Sequence, residues 1–296
     1  MKNIIFDLEY LAPKTLEEAL TMLSQYDPEE RKVIAGGQSL LIIMRQKLIT
    51  PNYLIDIKGV SELDYIKFDK KEGLKIGALT THRSVEKSPV IQKEFSVLSE
   101  MEQNLSNVET RNWGTIGGDI AHSDPCGDPV PVLIALNGKL KMAGPNGERT
   151  VDAEDFVVDF YETVLQHDEL LTEIQVPILP PSTGVKFTKF NQIAGDLALA
   201  SVAMSITLDK DKKTCSDVRI ALGGVAPAPM RAKNAEAVLK GKKITDALLN
   251  MSRDIEGSNL LETLKIPPFK AVNERSYDAV RMLYADWHQS QGRNTQ

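Results

Sequence analysis

Between Pro177 and Pro181 three of five residues are proline, in the order Pro177-Ile-Leu-Pro-Pro181. Each proline removes a backbone donor and fixes φ, so no regular element continues through this stretch. At about 100 to 200 residues per domain, a chain of 296 residues is expected to hold two domains, and the boundary falls here, between residues 1–177 and 182–290. Ahead of the break strands alternate with helices. Ile4–Leu8 is an apolar, β-branched run. Thr15-Leu-Glu-Glu18 is a capping box that opens an amphipathic helix through Tyr26, with Leu16, Ala19, Leu20 and Leu23 facing inward. A strand at Val33–Ala35, a helix over Ser39–Leu48 and a strand at Tyr53–Ile57 complete a small parallel unit ending near residue 58.

Residues 59–177 form a mixed second subdomain. Strands are expected at Tyr65–Phe68, Leu74–Ile76, Lys139–Met142 and Arg149–Val151, and helices at Thr81–Lys87, Phe95–Gln103 and Val130–Leu136. The glycine-rich stretch Gly114–Asp128 interrupts them. Beyond the prolines lie three strand-like runs, Lys186–Phe190, Ala198–Leu208 and Val218–Leu222. Helical spacing follows over Ala232–Leu239, Ile244–Met251 and Asn273–Gln289. The fold class is α+β, closing with a small antiparallel sheet covered by helices.

Charge and cysteine content narrow the chemistry. Lys plus Arg is 35 against Asp plus Glu 41, a net charge of -6, which argues against a nucleic-acid partner whose phosphates must be neutralised. Cys126 and Cys215 are the only cysteines and form no CxxC pair, so neither a disulfide framework nor a zinc or iron–sulfur site is supported, and no metal ligand is assigned. The N-terminus lacks the pattern of a signal peptide, and no window of about 18 uncharged apolar residues occurs. A cytoplasmic protein without a transmembrane segment is expected.

Two glycine-pair segments stand out, Ala35-Gly-Gly-Gln-Ser39 and Thr115-Ile-Gly-Gly-Asp119. Paired glycines let backbone N–H groups approach a ligand with no Cβ in the way, and the first segment runs straight into a helix, an arrangement suited to a pyrophosphate. Either alone fits an ordinary tight turn. Neither matches GxxxxGK[ST], and no GxGxxG follows a strand, which disfavours a nucleoside triphosphatase and a Rossmann dinucleotide site.

Several motifs, taken in order, carry a family resemblance. They are Ala35-Gly-Gly-Gln-Ser-Leu-Leu41, Pro51-Asn-Tyr-Leu-Ile-Asp-Ile57, Arg111-Asn-Trp-Gly-Thr-Ile-Gly-Gly-Asp119, Ala121-His-Ser-Asp-Pro125, Asp168-Glu-Leu-Leu-Thr-Glu-Ile-Gln-Val-Pro177, Lys186-Phe-Thr-Lys-Phe190 and Gly195-Asp-Leu-Ala198. Together they resemble the FAD-binding medium subunit of the molybdenum hydroxylases, of the aerobic carbon monoxide dehydrogenase and xanthine dehydrogenase type. The resemblance implies a two-subdomain FAD-binding fold of the p-cresol methylhydroxylase type and a smaller C-terminal domain. It also implies an electron-transfer role in an oxidoreductase complex, with a small [2Fe-2S] subunit and a large molybdopterin subunit as partners in a dimer of heterotrimers.

Carried over residue by residue, the resemblance places the FAD diphosphate on Ala35, Gly36, Gly37, Gln38, Ser39 and Leu40, and on Thr115, Gly117, Gly118 and Asp119. It places His122, Asp124 and Asp128 beside the cofactor, the carboxylates facing sugar or ring edges because like charges repel. Leu171 becomes an apolar contact, and Lys189 a cation near the isoalloxazine ring. No catalytic acid or base is assigned. Asp119 stands where relatives more often carry Asn or Ser, and is expected to point away from the diphosphate. Asn191 and Gln192 replace a basic pair. Structural roles compete at several positions: a satisfied structural histidine at His122, helix capping at Asp128, a solvated strand face at Lys189 and core packing at Leu171. Trp113 fits either a flavin edge or the core. A self-contained FAD-dependent oxidoreductase resembling UDP-N-acetylenolpyruvoylglucosamine reductase is the functional alternative, and a scaffold that has lost its cofactor is a further one.

Overall fold

The computed structural model describes residues 8–244. The helix expected at Asn273–Gln289 lies outside them, as do all of Ile244–Met251 except Ile244 and all of the strand Ile4–Leu8 except Leu8.

The first layer consists of β1 (Glu9–Leu11), α1 (Leu16–Gln25), β2 (Arg31–Ile34), α2 (Leu40–Arg45) and β3 (Tyr53–Asp56). Its sheet is parallel, in the order β1-β3-β2, with Tyr53 opposite both Glu9 and Arg31. Thr15 caps α1, its hydroxyl accepting from the Glu18 N–H at 3.2 Å. The Glu18 carboxylate reaches one residue further back than a capping box requires, to the Lys14 N–H. Ala19 and Leu23 bury against Ile55, Ile57, Val60 and Leu63. The helix α2 ends three residues short of the expected Leu48, because Lys47 adopts a left-handed conformation with φ 61°.

The second layer is an antiparallel sheet in the order β4-β5-β10-β6-β7. It begins with β4 (Ile66–Asp69) and β5 (Gly73–Gly77), continues through α3 (His82–Lys87), α4 (Pro89–Glu94), α5 (Ser96–Gln103), α6 (Val108–Trp113), α7 (Ile116–His122) and α8 (Pro129–Ala135), and resumes with β6 (Lys139–Gly144) and β7 (Gly147–Asp152). The hairpin β8 (Val157–Asp159) with β9 (Glu162–Thr163) follows, and then β10 (Leu170–Val176) at the sheet centre. The glycine-rich stretch Gly114–Asp128 does not interrupt the regular structure throughout but contains α7. Thr115 caps that helix through the Gly118 N–H at 3.1 Å, and Ser123 ends it at φ 50°.

After Val176 neither helix nor strand occurs until Thr183. The third layer is β11 (Thr183–Phe190), β12 (Ala200–Leu208), β13 (Cys215–Gly223) and β14 (Met230–Arg231), antiparallel in that order, with α9 (Lys233–Leu239) packed on β13. On this sheet α8 packs against β12 and β13, while α5 packs against β11. Phe187, Ala203 and Ala221 join the same core as Leu133, Leu98 and Ile174. The segment joining α7 to α8 meets both later layers, Pro125 O accepting from Gly224 N–H at 2.9 Å and Asp124 from the Tyr161 hydroxyl at 3.3 Å.

Candidate functional site

The chain leaves β2 at Ile34 and turns into α2 through Ala35–Ser39. Gly37 sits at φ 73°, where only glycine is unstrained. The backbone N–H groups of Gly36, Gly37, Gln38, Ser39 and Leu40 have no acceptor among the described residues. Unpaired amides in a row are the donor set an oxyanion needs. Ser39 makes no capping bond, so its hydroxyl is also unengaged.

The second glycine segment is built differently. Ile116 N–H donates to Thr80 O, Gly117 N–H to Ala78 O, and the N–H groups of Gly118 and Asp119 to the Thr115 hydroxyl and carbonyl. Its amides are engaged by protein, and what it contributes is a wall without side chains. A Cβ on Gly118 would stand 3.5 Å from Ala35 Cβ, so the two segments face each other. They also touch: a Cβ on Gly36 would lie 2.3 Å from Trp113 O and 2.6 Å from Gly114 Cα.

Between them opens a cleft of about 730 Å³, bounded also by Leu105–Ser106, Tyr161, Glu169–Leu171, Lys189 and Gly195–Leu197. Its size lies within the roughly 300–1,000 Å³ typical of small-molecule sites. Every residue carried over from the resemblance lines it except Asp124. Asp124 instead accepts from Cys126 N–H at 2.9 Å and from the Tyr161 hydroxyl at 3.3 Å. It holds Tyr161, whose ring lies 5.2 Å from that of His122 at a tilt of 46° and whose backbone adopts φ 55°. Burial lowers the pKa of His122 against the pull of Asp124, which favours the neutral imidazole.

Asp128 does not cap α8. Its Oδ2 accepts from Lys189 Nζ at 2.7 Å, with both side chains almost fully buried, and its Oδ1 has no partner. Lys189 also donates to Asp196 O at 3.0 Å. The Lys189 side chain is therefore not on a solvated face, and its charge is paired rather than free. Leu171 is a core residue that also lines the cleft. Trp113 is neither core nor cleft. Its side chain is 62% exposed, because α6 presents it outward while its carbonyl abuts Gly36.

Asp119 also departs from expectation, since it lines the cleft rather than turning away. Burial, reinforced by the charges of Glu102, Asp128 and Asp124, raises its pKa to about 6, against the opposing pull of His82. His82 Nε2 is 3.7 Å from Asp119 Oδ2, and His82 Nδ1 is 2.9 Å from Glu102 Oε2. His82, Glu102 and Tyr161 were not legible in the sequence. His82 and Glu102 come from separate helices with no motif spacing, and the turn that raises Tyr161 contains no glycine or asparagine. Arg111 is buried on Glu86 and donates to the carbonyls of Leu105 and Ser106, fixing that margin of the cleft.

Residues 6–179 match the family described as the FAD binding domain in molybdopterin dehydrogenase, and residues 186–258 the CO dehydrogenase flavoprotein C-terminal domain. The carbon monoxide dehydrogenase medium chain of Hydrogenophaga pseudoflava is 37% identical over 246 residues, covering 83% of this chain and 84% of that one. The glyceraldehyde dehydrogenase medium chain of Sulfolobus acidocaldarius is 33% identical over 281 residues, 90% and 98% of the two chains. A solved carbon monoxide dehydrogenase from H. pseudoflava, lacking the Mo-pyranopterin moiety, superimposes with a TM-score of 0.79 at 36% identity, covering 89% of this chain and 88% of that one. With a family match across more than half of the chain and these relatives along most of its length, the chain belongs to the FAD-binding medium subunits of the molybdenum hydroxylases, an oxidoreductase family, and its cofactor is FAD.

Proposed function

We propose that this chain relays electrons from the [2Fe-2S] centres of a small subunit to an external acceptor, within a complex whose large subunit oxidises substrate at a molybdenum cofactor. Bound FAD supplies the ability to take up electrons singly and release them singly or in pairs. The residues position that cofactor. The amides of Gly36–Leu40 and the Ser39 hydroxyl hold the diphosphate. Gly117 and Gly118 would admit it closely, Leu171 would give an apolar contact, and His122 and Asp128 would serve its sugar and ring edges. The observation that carries this reading is the row of five unpartnered amides facing a side-chain-free wall. Asp124 acts through Tyr161 in this scheme, and Lys189 through Asp128.

The assembly is proposed as a dimer of heterotrimers; the description of relatives as medium chains supports its small and large partners. The mass of the complex co-purified with its neighbours tests it. A division at Pro177–Pro181 rests on the absence of helix and strand there, and limited proteolysis checks it. Among the described residues no helix is long and apolar enough to cross a membrane. Placement in the cytoplasm is supported by two free thiols, Cys126 and Cys215.

Flavin absorbance of the purified full chain tests the central assignment. Gly118→Asp adds a carboxylate to the wall that faces the amide row, and Gly37→Asp strains the φ 73° backbone that aims those amides, so each should abolish FAD retention. Full flavin occupancy in both variants would show that the segments serve another purpose.

A further inference from the structure

The cleft presents a charge problem to any dianion. Among its lining groups Lys189 is consumed by Asp128 and Glu169 is held by Arg149, while Lys32 of β2 lines the cleft without an ion-pair partner among the described residues. Asp119 faces the space with no lysine or arginine beside it among the described residues. The group nearest to it is His82, which approaches from below. The backbone N–H of His82 donates to Gly114 O at 3.0 Å, and a Cβ on Gly114 would stand 3.1 Å from His82 Cδ2 and 3.4 Å from Gln38 Cγ. The imidazole thus lies under the junction of the two glycine segments. Behind it Glu102 is wholly buried, bonded to His82 through Oε2 and unpartnered at Oε1. A buried carboxylate is stabilised by a neighbouring cation, and the bond of Glu102 to Nδ1 orients the ring so that Nε2 faces Asp119.

We propose that His82, charged and oriented by Glu102, is a positioning residue of the flavin cradle, whose imidazolium cancels the Asp119 carboxylate that would otherwise repel the arriving diphosphate. This rests on the flavin reading above. Burial alone would discharge His82, but the Glu102 charge and hydrogen bond, with Asp119, outweigh it and raise the pKa to about 9, while Arg111 from α6 opposes them. Asp119 meets Glu102, Asp128 and Asp124 besides His82, so carboxylates outnumber the one imidazolium on its side of the cleft. The role is distinct from direct attraction between His82 and phosphate, because it operates through Asp119 and vanishes without it.

A double-mutant cycle in FAD affinity, measured by flavin fluorescence on the full flavin-free chain, separates these possibilities. His82→Gln should weaken FAD binding about tenfold near neutral pH. In the Asp119→Asn background the same substitution should have no effect, because no carboxylate remains to be compensated. If the loss persists in that background, the proposal is overturned and His82 is structural or acts on the phosphate directly. Should His82→Gln fail to fold, the pH profile decides. Wild-type affinity should fall as pH rises through about 9, and Asp119→Asn should flatten that fall. An unchanged fall in Asp119→Asn overturns the proposal. A wild-type chain that binds no FAD overturns the flavin reading itself, whereas binding without coupling removes only His82.

Discussion

Gly36 and Gly184 show how differently one residue type can be constrained. At Gly36 a Cβ would lie 2.3 Å from a backbone oxygen, Trp113 O, which cannot swing aside as a side chain would. Gly36→Ala must therefore part the two glycine segments, and overpacking of this kind costs roughly 1–3 kcal/mol. FAD retention should be lost while the chain stays folded. At Gly184 nothing lies within 4 Å of the same position, and Gly184→Ala should stabilise by about 0.4–1 kcal/mol through the unfolded state. Urea denaturation of the two variants checks both, and a neutral Gly36→Ala would show that the segments need not touch. Lys189→Met poses a harsher case. It strands the buried Asp128 carboxylate, whose Oδ1 already lacks a donor, and breaking a buried pair costs about 3–5 kcal/mol. Lys189→Met should melt well below wild type, and adding Asp128→Asn should restore part of the difference. An unshifted melting midpoint in Lys189→Met would show that the pair is not sealed from water.

At the scale of elements, α7 depends on one cap. Its first turn contains Gly117 and Gly118, each of which disfavours a helix by about 1 kcal/mol relative to alanine. Thr115 offsets this by accepting from Gly118 N–H, and Ile116 and Ile120 anchor the helix in the core. Thr115→Val keeps the shape but removes the acceptor, and should cost about 1 kcal/mol, read as faster amide exchange at Gly118. Protection equal to wild type would assign the stability of the turn to packing alone. The same balance explains what the sequence concealed here. A glycine pair weakens helical propensity, so α7 looked like a loop until its partners in space were known. The central strand β10 was hidden for another reason. Its residues from Leu170 to Ile174 are all buried, and a strand covered on both faces has no alternation to detect. Where one face meets water or one cap dominates, as in α1 with Thr15, Ala19 and Leu23, pattern and outcome agree. The two glycine segments, which line one cleft, stand out in the sequence because a Gly-Gly pair is a local pattern. The Glu102–His82–Asp119 line was not, since three helices must pack before it exists.

Across the whole molecule, two sets of buried charges set opposite limits on pH. Glu86, Glu154 and Glu236 are partly desolvated, which would raise their pKa values. The guanidinium of Arg111 with Arg83 and Lys87 at Glu86, and that of Arg231 at Glu154 and Glu236, overturns this and holds all three below the ordinary carboxylate range. Their stabilisation is present above the unfolded pKa and is lost as pH falls through the lower folded value. His82 carries the opposite sign. Its folded pKa of about 9 exceeds the ordinary 6.5, so the native state binds the proton more tightly than the unfolded chain. That contribution is complete below about 6.5 and disappears as pH rises through about 9. The flavin-free chain should therefore melt at progressively lower temperature on passing from neutral to alkaline solution, well before lysines or tyrosines titrate at their ordinary values. Glu102→Gln removes the charge that keeps His82 protonated, and in that variant the alkaline decline should flatten even if the chain is less stable overall. A wild-type midpoint that holds steady from neutral pH to beyond 9 would mean that the imidazole is neutral in the fold.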